Sequence, residues 1–193
     1  MEDVIDRSNV WLAFDSGLTS ASRGHLEETI LNHAEKIGCH LDWLITHQLN
    51  TGARRVAFTM SSVDSVTLVK LVDDLRSYFP SFAVEQEMTQ LIANSKSKSS
   101  GRAVVFPIDV DVSSSISQSE LISHSAIDAI FAVGESLPVD AIIQVNGFLR
   151  PTFKNGVLEL LVERVAGGFF APIERRAPHE CCGGHPEEEP IFL

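Results

Sequence analysis

Three pairs of turn-forming residues in the last third of the chain constrain its fold more than any other feature. Asn146-Gly147, Asn155-Gly156 and Gly167-Gly168 recur at short intervals and separate apolar segments. Asn-Gly and Gly-Gly pairs readily adopt the positive φ angles that tight hairpin turns need. The segments between them are 141–145, 148–153, 157–163 and 169–173. We therefore predict an antiparallel C-terminal β-meander, and Pro172 predicts that its last strand lies at a sheet edge.

The first third of the chain favours strands that alternate with a long helix. Val10–Phe14 and Arg55–Met60 are short apolar runs typical of buried strands. Between them an apolar seam recurs in steps of three and four residues, which is the spacing of one helix face. The seam consists of Ile30, Ala34, Ile37, Leu41 and Leu44. It predicts a helix over about residues 25–49, weakened at Gly38 and ended by Gly52.

The middle of the chain contains two capping-box spacings. Residues 61–64 predict a helix through about Tyr78, and residues 117–120 predict another through about Glu135. The segment 82–93 fits a strand or a helix. Residues 95–101 predict an exposed loop, and residues 103–112 predict a strand that Pro107 places at an edge or a bulge.

These elements predict the fold class and the domain organisation. We expect an α/β (or α+β) fold in which two or three helices cover a mixed sheet that ends in the meander. Residues 1–174 form a single α/β domain in this interpretation, and residues 175–193 form an acidic C-terminal tail that contains cysteine and histidine.

Charge and cysteine content limit the classes of partner and compartment. The 193 residues carry 15 Lys and Arg against 26 Asp and Glu, a net charge of −11, so neither nucleic acid nor an anionic membrane surface is an expected partner. Neither a basic, apolar signal sequence nor a long apolar span is found. Three cysteines are a poor disulfide framework, and this favours a reducing cytoplasm.

The most unusual stretch for chemistry is the C-terminal sequence His-Glu-Cys-Cys-Gly-Gly-His. Cys181 and Cys182 offer two thiols, and His179 and His185 offer two imidazoles, within seven residues. Thiolate and imidazole together suit Zn²⁺ or another soft ion such as Cu⁺. Adjacent cysteines lack the spacing of a closed zinc finger. We therefore expect a labile site, or a site that a distant residue completes.

The pair Cys181-Cys182 resembles the vicinal cysteines on the C-terminal tail of mercuric reductases. In that family such a tail passes a soft metal ion inward. The resemblance covers two residues, and this chain has no GxGxxG fingerprint for a flavin. It implies a type of chemistry, ligand exchange at paired thiols, and no family membership.

A repeat of histidines suggests where the missing ligand could come from. His33, His40 and His47 follow one another every seven residues, with Cys39 beside the middle one. Seven residues of helix rise about 10.5 Å, so the three imidazoles share a stripe and cannot share one ion. The favoured interpretation is a set of boundary histidines beside a core. The alternative is that Cys39 or His40 completes the metal site of the tail.

Carboxylates and hydroxyls give a weaker candidate site. Asp109 and Asp111 face one side of a predicted strand, and Asp15 ends another, so together they would suit Mg²⁺ or Ca²⁺. A crevice for a phosphate would add hydroxyl groups at the strand ends. Its lining would be Asp15, Ser16, Thr19, Ser20, Ser61 and Ser62. Capping serines and a solvated strand face account for the same residues.

Three functions follow from these features. The first is a soft-metal-binding or thiol-handling accessory or sensor protein that uses the C-terminal segment. The alternative is a non-enzymatic interaction domain that binds a protein partner or forms a homodimer through the long helix or a sheet edge. A further alternative is a phosphate- or Mg-dependent hydrolase at Asp15, Asp109 and Asp111.

Overall fold

A computed structural model describes residues 9–19, 23–49, 55–79 and 85–174 of the chain. The elements are four helices, ten strands and one 3-10 turn at Ala166–Gly168. The helices are α1 (Arg23–Ile37), α2 (Ser65–Tyr78), α3 (Glu85–Lys96) and α4 (Gln118–Ser123). The strands are β1 (Val10–Thr19), β2 (Trp43–Leu49), β3 (Arg55–Ser62), β4 (Arg102–Val105), β5 (Ser115–Ser117), β6 (Ala129–Ala132), β7 (Ile142–Gln144), β8 (Thr152–Lys154), β9 (Val157–Arg164) and β10 (Phe170–Pro172). The predicted tail, residues 175–193, lies outside the described residues.

The strands form one mixed sheet, which confirms the predicted fold class. The order along the sheet is β1-β3-β2-β4-β8-β9-β10-β7-β5, with β6 paired to β9. The pairs β1–β3, β3–β2 and β2–β4 are antiparallel, whereas β6–β9 and β7–β10 are parallel. The described residues contain four helices where the sequence predicts two or three covering ones.

The predicted long helix is wrong in its second half. α1 ends at Ile37, because Gly38 adopts φ +70° and the chain closes a Schellman turn. In this turn the Cys39 N–H donates to the Ala34 carbonyl at 2.8 Å, and the Gly38 N–H donates to the Glu35 carbonyl at 3.0 Å. Leu44 is buried, yet it belongs to β2 rather than to a helical seam. The seam from which a helix-mediated dimer is predicted therefore does not lie on one helix.

The capping signals predict the helix starts better than the helix ends. Asp64 caps α2, since its Oδ1 accepts hydrogen bonds from the N–H groups of Val66 and Thr67, and α2 ends at Tyr78 as predicted. Ser117 caps α4 by accepting from the Glu120 N–H at 3.2 Å. α4 then stops at Ser123, and β6 occupies part of the segment predicted to be helical.

Two further boundaries differ from the prediction. The ambiguous segment 82–93 contains most of α3, which extends to Lys96, so the first two residues of the predicted loop at 95–101 are helical. The predicted strand at 103–112 is limited to β4, which ends at Val105. Asp109 and Asp111 therefore lie in the connection that follows β4.

The turn signals predict the C-terminal part of the sheet well. Asn146, Gly147, Asn155 and Gly156 all have positive φ angles. Strands β8, β9 and β10 are successive antiparallel neighbours, as expected for a meander. However, β10 lies between β9 and β7, so the predicted edge position of Pro172 is wrong.

Two large cores and one small core lie against the sheet. One packs α1 and α2 onto β1, β2 and β3, through residues such as Ile30, Leu71 and Phe58. A second fills the C-terminal half around Ile143, Leu160 and Phe170. The third lies beneath α3 and joins Leu91 to Leu49 and Ala57. Ala57 and Phe58 belong to different cores because successive residues of a strand face opposite sides.

A buried ion pair connects the two large cores. Arg150, in the connection before β8, contacts Glu27 of α1 with both ends of its guanidinium; Nη1 donates to Oε1 at 2.8 Å and Nη2 donates to Oε2. The two side chains are only 7% and 6% exposed. Glu27 follows Leu26 of the first core, and Arg150 follows Leu149 of the second. The pair therefore fixes α1 relative to the C-terminal half.

We predict that Glu27→Gln lowers the free energy of unfolding by about 3 kcal/mol, because it removes the carboxylate that binds both ends of the buried Arg150 guanidinium and leaves the longer contact with Glu174, at 3.9 Å. Urea unfolding followed by circular dichroism measures this loss. The matched control is Asp73→Asn, which removes an exposed contact with Arg76 and should leave the midpoint nearly unchanged. Equal effects of the two substitutions would contradict the role of the buried pair.

Candidate functional site

The four C-terminal donors of the predicted metal site lie outside the described residues. These are His179, Cys181, Cys182 and His185. Within the described ranges no group of three or more histidine, cysteine, aspartate or glutamate side chains is placed to hold a metal ion. The metal site therefore stays a prediction, and the structure bears on it only through Cys39 and His40.

Cys39 is held in the core at the end of α1. Its side chain is 5% exposed, and it packs in the core formed by α1, α2 and β3. Burial raises the pKa of the thiol, the Asp64 and Asp42 carboxylates raise it further, and a hydrogen bond with Thr67 opposes them. A metal ligand must be a thiolate. Cys39 is thus poorly suited to complete a metal site.

His40 differs from Cys39 in its access to solvent. It follows the Schellman turn of α1 and is exposed. A turn residue with an exposed imidazole can meet a ligand without any rearrangement of the core. Of the two residues predicted to complete the site, His40 is the one whose environment permits it.

The three histidines do not form a stripe, since the helix that would carry them ends before His40. His33 lies on α1, where its Nδ1 is 2.6 Å from Oδ2 of Asp74 and its ring packs edge-on against Tyr78. His47 lies in β2 and is buried. The interpretation of boundary histidines beside a core fits His33, and it does not describe His47.

His47 belongs to a buried polar cluster that the sequence analysis missed. Its Nε2 lies 3.0 Å from Thr59 Oγ1 on β3 and 3.0 Å from Ser95 Oγ on α3. The two hydroxyl oxygens are 2.6 Å apart. Because the three residues come from three separate elements, no local motif in the sequence could have indicated the cluster.

A serine beside a histidine also occurs in nucleophilic enzymes, yet this cluster is closed. Thr59, Ser95 and His47 are 0%, 2% and 6% exposed. Gly101 lies directly on the imidazole, since a Cβ at that position would be 2.7 Å from His47 Cε1. A substrate could not reach Ser95 without displacing α3. The geometry therefore supports a structural role, in which the cluster holds α3 on β2 and β3.

The carboxylates of the hydrolase hypothesis are not brought together. Asp15 is fully buried in β1, where Oδ2 accepts from Arg55 Nη1 at 2.9 Å. Asp109 and Asp111 are exposed in the connection after β4. Strand β4 itself lies three strand positions, or about 14 Å, from β1. Asp111 accepts hydrogen bonds from Ser113, and these bonds lower the pKa of its carboxyl.

The crevice predicted at the strand ends does not form either. Strands β1 and β3 are antiparallel, so Asp15 pairs with Ala57 while Ser62 pairs with Val10 at the other end. Ser16, Ser61 and Ser62 are buried. Thr19 ends β1, and Ser20 lies outside the described residues. The hydroxyl and carboxylate groups therefore do not line a common pocket.

Comparison with known protein families, with curated proteins and with solved structures finds no match to this chain. In the part of the chain that the structure describes, none of the helices is both long and apolar enough to cross a membrane.

We predict that the buried His47 makes the protein less stable as the pH falls. Burial lowers the pKa of its imidazole to about 4, whereas an unfolded histidine titrates near 6.5. The unfolded chain therefore binds the proton first, and the free energy of unfolding falls by about 3 kcal/mol between about pH 6.5 and pH 4. Urea unfolding at several pH values measures the slope.

The variant His47→Gln tests this assignment, because its amide can still bond to Thr59 and Ser95 but does not titrate. It should lose most of the slope between pH 6.5 and pH 4.5, above the range in which most carboxyl groups are protonated. His40→Gln, at an exposed position, is the control and should keep the slope. A slope that survives His47→Gln would refute the assignment.

Proposed function

We propose that this protein binds a soft metal ion, Zn²⁺ or Cu⁺, through Cys181 and Cys182 and acts as an accessory or sensor protein. The observation that carries the proposal is the concentration of two thiols and two imidazoles in residues 179–185. His179 or His185 adds an imidazole to the coordination shell. The step is ligand exchange, in which two thiols give up their protons to solvent and the resulting thiolates replace water molecules bound to the ion.

The described residues support the proposal in two ways. The Cys39 thiol is buried with a raised pKa and is a poor thiolate donor, so the proposal assigns the two thiolate ligands to Cys181 and Cys182. His40, in contrast, is exposed at the end of α1. An imidazole at this turn suits a fourth ligand for an ion that the adjacent thiols hold incompletely.

The length of the C-terminal segment allows this contact. Glu174, the last described residue, contacts Arg102 and lies 3.9 Å from Arg150 Nε, and Arg150 in turn binds Glu27 on α1. From Glu27 to the end of α1 at Ile37 is about 15 Å of helix. The seven residues from Glu174 to Cys181 span up to about 23 Å. This length exceeds the distance of about 15 Å along the helix between Glu27 and Ile37, and the proposal is that Cys181 approaches His40 along α1.

We also propose that the protein works in a reducing cytoplasm. The sequence contains three cysteines, and Cys39, the cysteine that the structure describes, is a free thiol. Soft-metal exchange at Cys181 and Cys182 requires that these thiols stay reduced.

A second candidate function is self-association of the chain. It is favoured by a row of exposed apolar side chains on the outer face of the sheet, formed by Phe131, Leu161 and Ile173. The helix end at Ile37 removes the second half of the long helix as a contact surface for this function. A chain that stays monomeric at high concentration would exclude the sheet version as well.

We predict about one metal ion per chain after purification at neutral pH, and at least about a tenfold lower content in Cys181→Ser/Cys182→Ser. Inductively coupled plasma mass spectrometry gives the stoichiometry. The matched control is Cys39→Ala, which removes the buried thiol and should keep the metal. His40→Ala should weaken the affinity and leave the two thiolate ligands in place.

The metal should also be lost as the pH falls from 7 to about 5, because protons compete for the imidazole and thiolate donors. Equal metal content in the wild-type protein and in the double cysteine variant would overturn the proposed function. Loss of the metal in Cys39→Ala alone would place the site elsewhere.

A further inference from the structure

The sheet exposes a continuous apolar row beside the start of the C-terminal segment. Phe131 of β6, Leu161 of β9 and Ile173 after β10 are 48%, 45% and 42% exposed, and Val133 extends the row at 57%. Single exposed apolar side chains are common on protein surfaces, but a contiguous group indicates a contact site. We call these four residues the β6 row.

The strand register places the β6 row on one face of the sheet. Phe131 pairs with Leu161 in the parallel β6–β9 ladder. The Ile173 N–H donates to the Leu161 carbonyl at 3.1 Å, in continuation of the antiparallel β9–β10 ladder. Side chains that are paired across strands lie on the same face. Ile130, Leu160 and Val162, which alternate with the row, are buried in the core on the other face.

Strand β6 adds a backbone surface to this row. Among the described strands it pairs with β9 alone, so its other edge carries main-chain groups that can accept a further strand. Its four residues, Ala129–Ala132, include no charged or proline residue of the kind that usually protects such an edge. An extended apolar segment could therefore bond to the edge of β6 and bury the β6 row at the same time.

The sequence supplies such a segment from the same chain. After the acidic residues 187–189 comes Pro190-Ile191-Phe192-Leu193, which contains three large apolar side chains in succession. The chain enters residues 175–193 directly from the β6 row, since Ile173 belongs to the row. The 17 residues from Glu174 to Ile191 span up to about 56 Å, whereas the row crosses two strand spacings, about 10 Å. The segment is long enough to return.

We infer that the segment 190–193 packs on the β6 row, beside β6, and closes the intervening residues into a loop. Ile191, Phe192 and Leu193 then shield Phe131, Val133, Leu161 and Ile173 from water. The tether keeps the segment at a high effective concentration beside the row. A second copy lacks this advantage, and two copies with a charge of −11 each repel one another.

This inference goes beyond the proposed metal site and does not depend on it. The loop that the contact closes contains Cys181 and Cys182, and its two ends would then be held at neighbouring points of the sheet. Holding both ends of a loop reduces the conformational entropy that its residues lose when they are ordered. Packing of the segment 190–193 is expected with or without a metal ion.

Hydrogen–deuterium exchange of the full-length chain, in the presence of a chelator, tests the inference. The variant Ile191→Ser/Phe192→Ser/Leu193→Ser should speed exchange of the amides of residues 129–133 by about tenfold or more relative to the wild type. The matched control, Glu187→Ser/Glu188→Ser/Glu189→Ser, changes three neighbouring residues without removing apolar surface. It should leave exchange in β6 at the wild-type rate, and amides of α2 should be unaffected in both variants.

Measurement at low and at high protein concentration identifies the occupant. Protection of β6 that is independent of concentration and lost only in the apolar variant supports the packing of the segment 190–193. Protection that increases with concentration assigns the β6 row to a second copy and overturns the inference. Equal exchange in the wild type and the apolar variant also overturns it. Because the chelator removes metal ions throughout, neither result depends on the metal content of the protein.

Discussion

The contact between Arg150 and Glu27 is the constraint on which the arrangement of the rest depends. These residues are 123 positions apart, they are almost completely buried, and they join the core beneath α1 to the core of the C-terminal half. A buried pair of this kind contributes little net stability, because removing two charges from water offsets their attraction. Its consequence is geometric, since an arrangement that separates the two groups breaks both hydrogen bonds between the buried guanidinium and the buried carboxylate. Glu174 lies beside the same guanidinium, so this contact also fixes the point from which residues 175–193 continue.

The sequence predicts those parts of the fold that local chemistry determines. Asn146-Gly147 and Asn155-Gly156 predict turns because few other residues adopt positive φ so readily. Asn155-Gly156 joins the paired strands β8 and β9, whereas the strands on either side of Asn146-Gly147 pair with other strands. The end of α1 shows the opposite case. Leu41 and Leu44 continue the three–four spacing of Ile30, Ala34 and Ile37 beyond Gly38, where the chain has already left the helix. An apolar spacing records burial and does not distinguish a helix from a loop followed by a strand. Gly38 is the residue in the sequence that decides between them, because glycine readily adopts the positive φ of the turn that ends a helix.

The candidate sites differ in how far the sequence could reveal them. His47, Thr59 and Ser95 meet only because α3 crosses β2 and β3, so their contact depends on tertiary structure. The same is true of Asp15, which the sequence places at a strand end and the structure places beside Arg55 inside β1. Cys181 and Cys182 are the reverse case, since they are adjacent in the sequence and can be recognised there without any tertiary structure. The β6 row became visible only through strand register, which pairs Phe131 with Leu161. The described domain thus supplies the scaffold, and the proposed chemistry lies in the segment attached to it.

X-ray absorption spectroscopy at the edge of the bound metal tests most directly whether Cys181 and Cys182 are the donors. With Zn²⁺ bound to the full chain, a first shell with two sulfur ligands at about 2.3 Å and nitrogen ligands at about 2.0–2.1 Å is expected. The sulfur contribution should disappear in Cys181→Ser/Cys182→Ser and persist in Cys39→Ala. A first shell of nitrogen and oxygen atoms alone in the wild-type protein would contradict metal binding by the paired thiols.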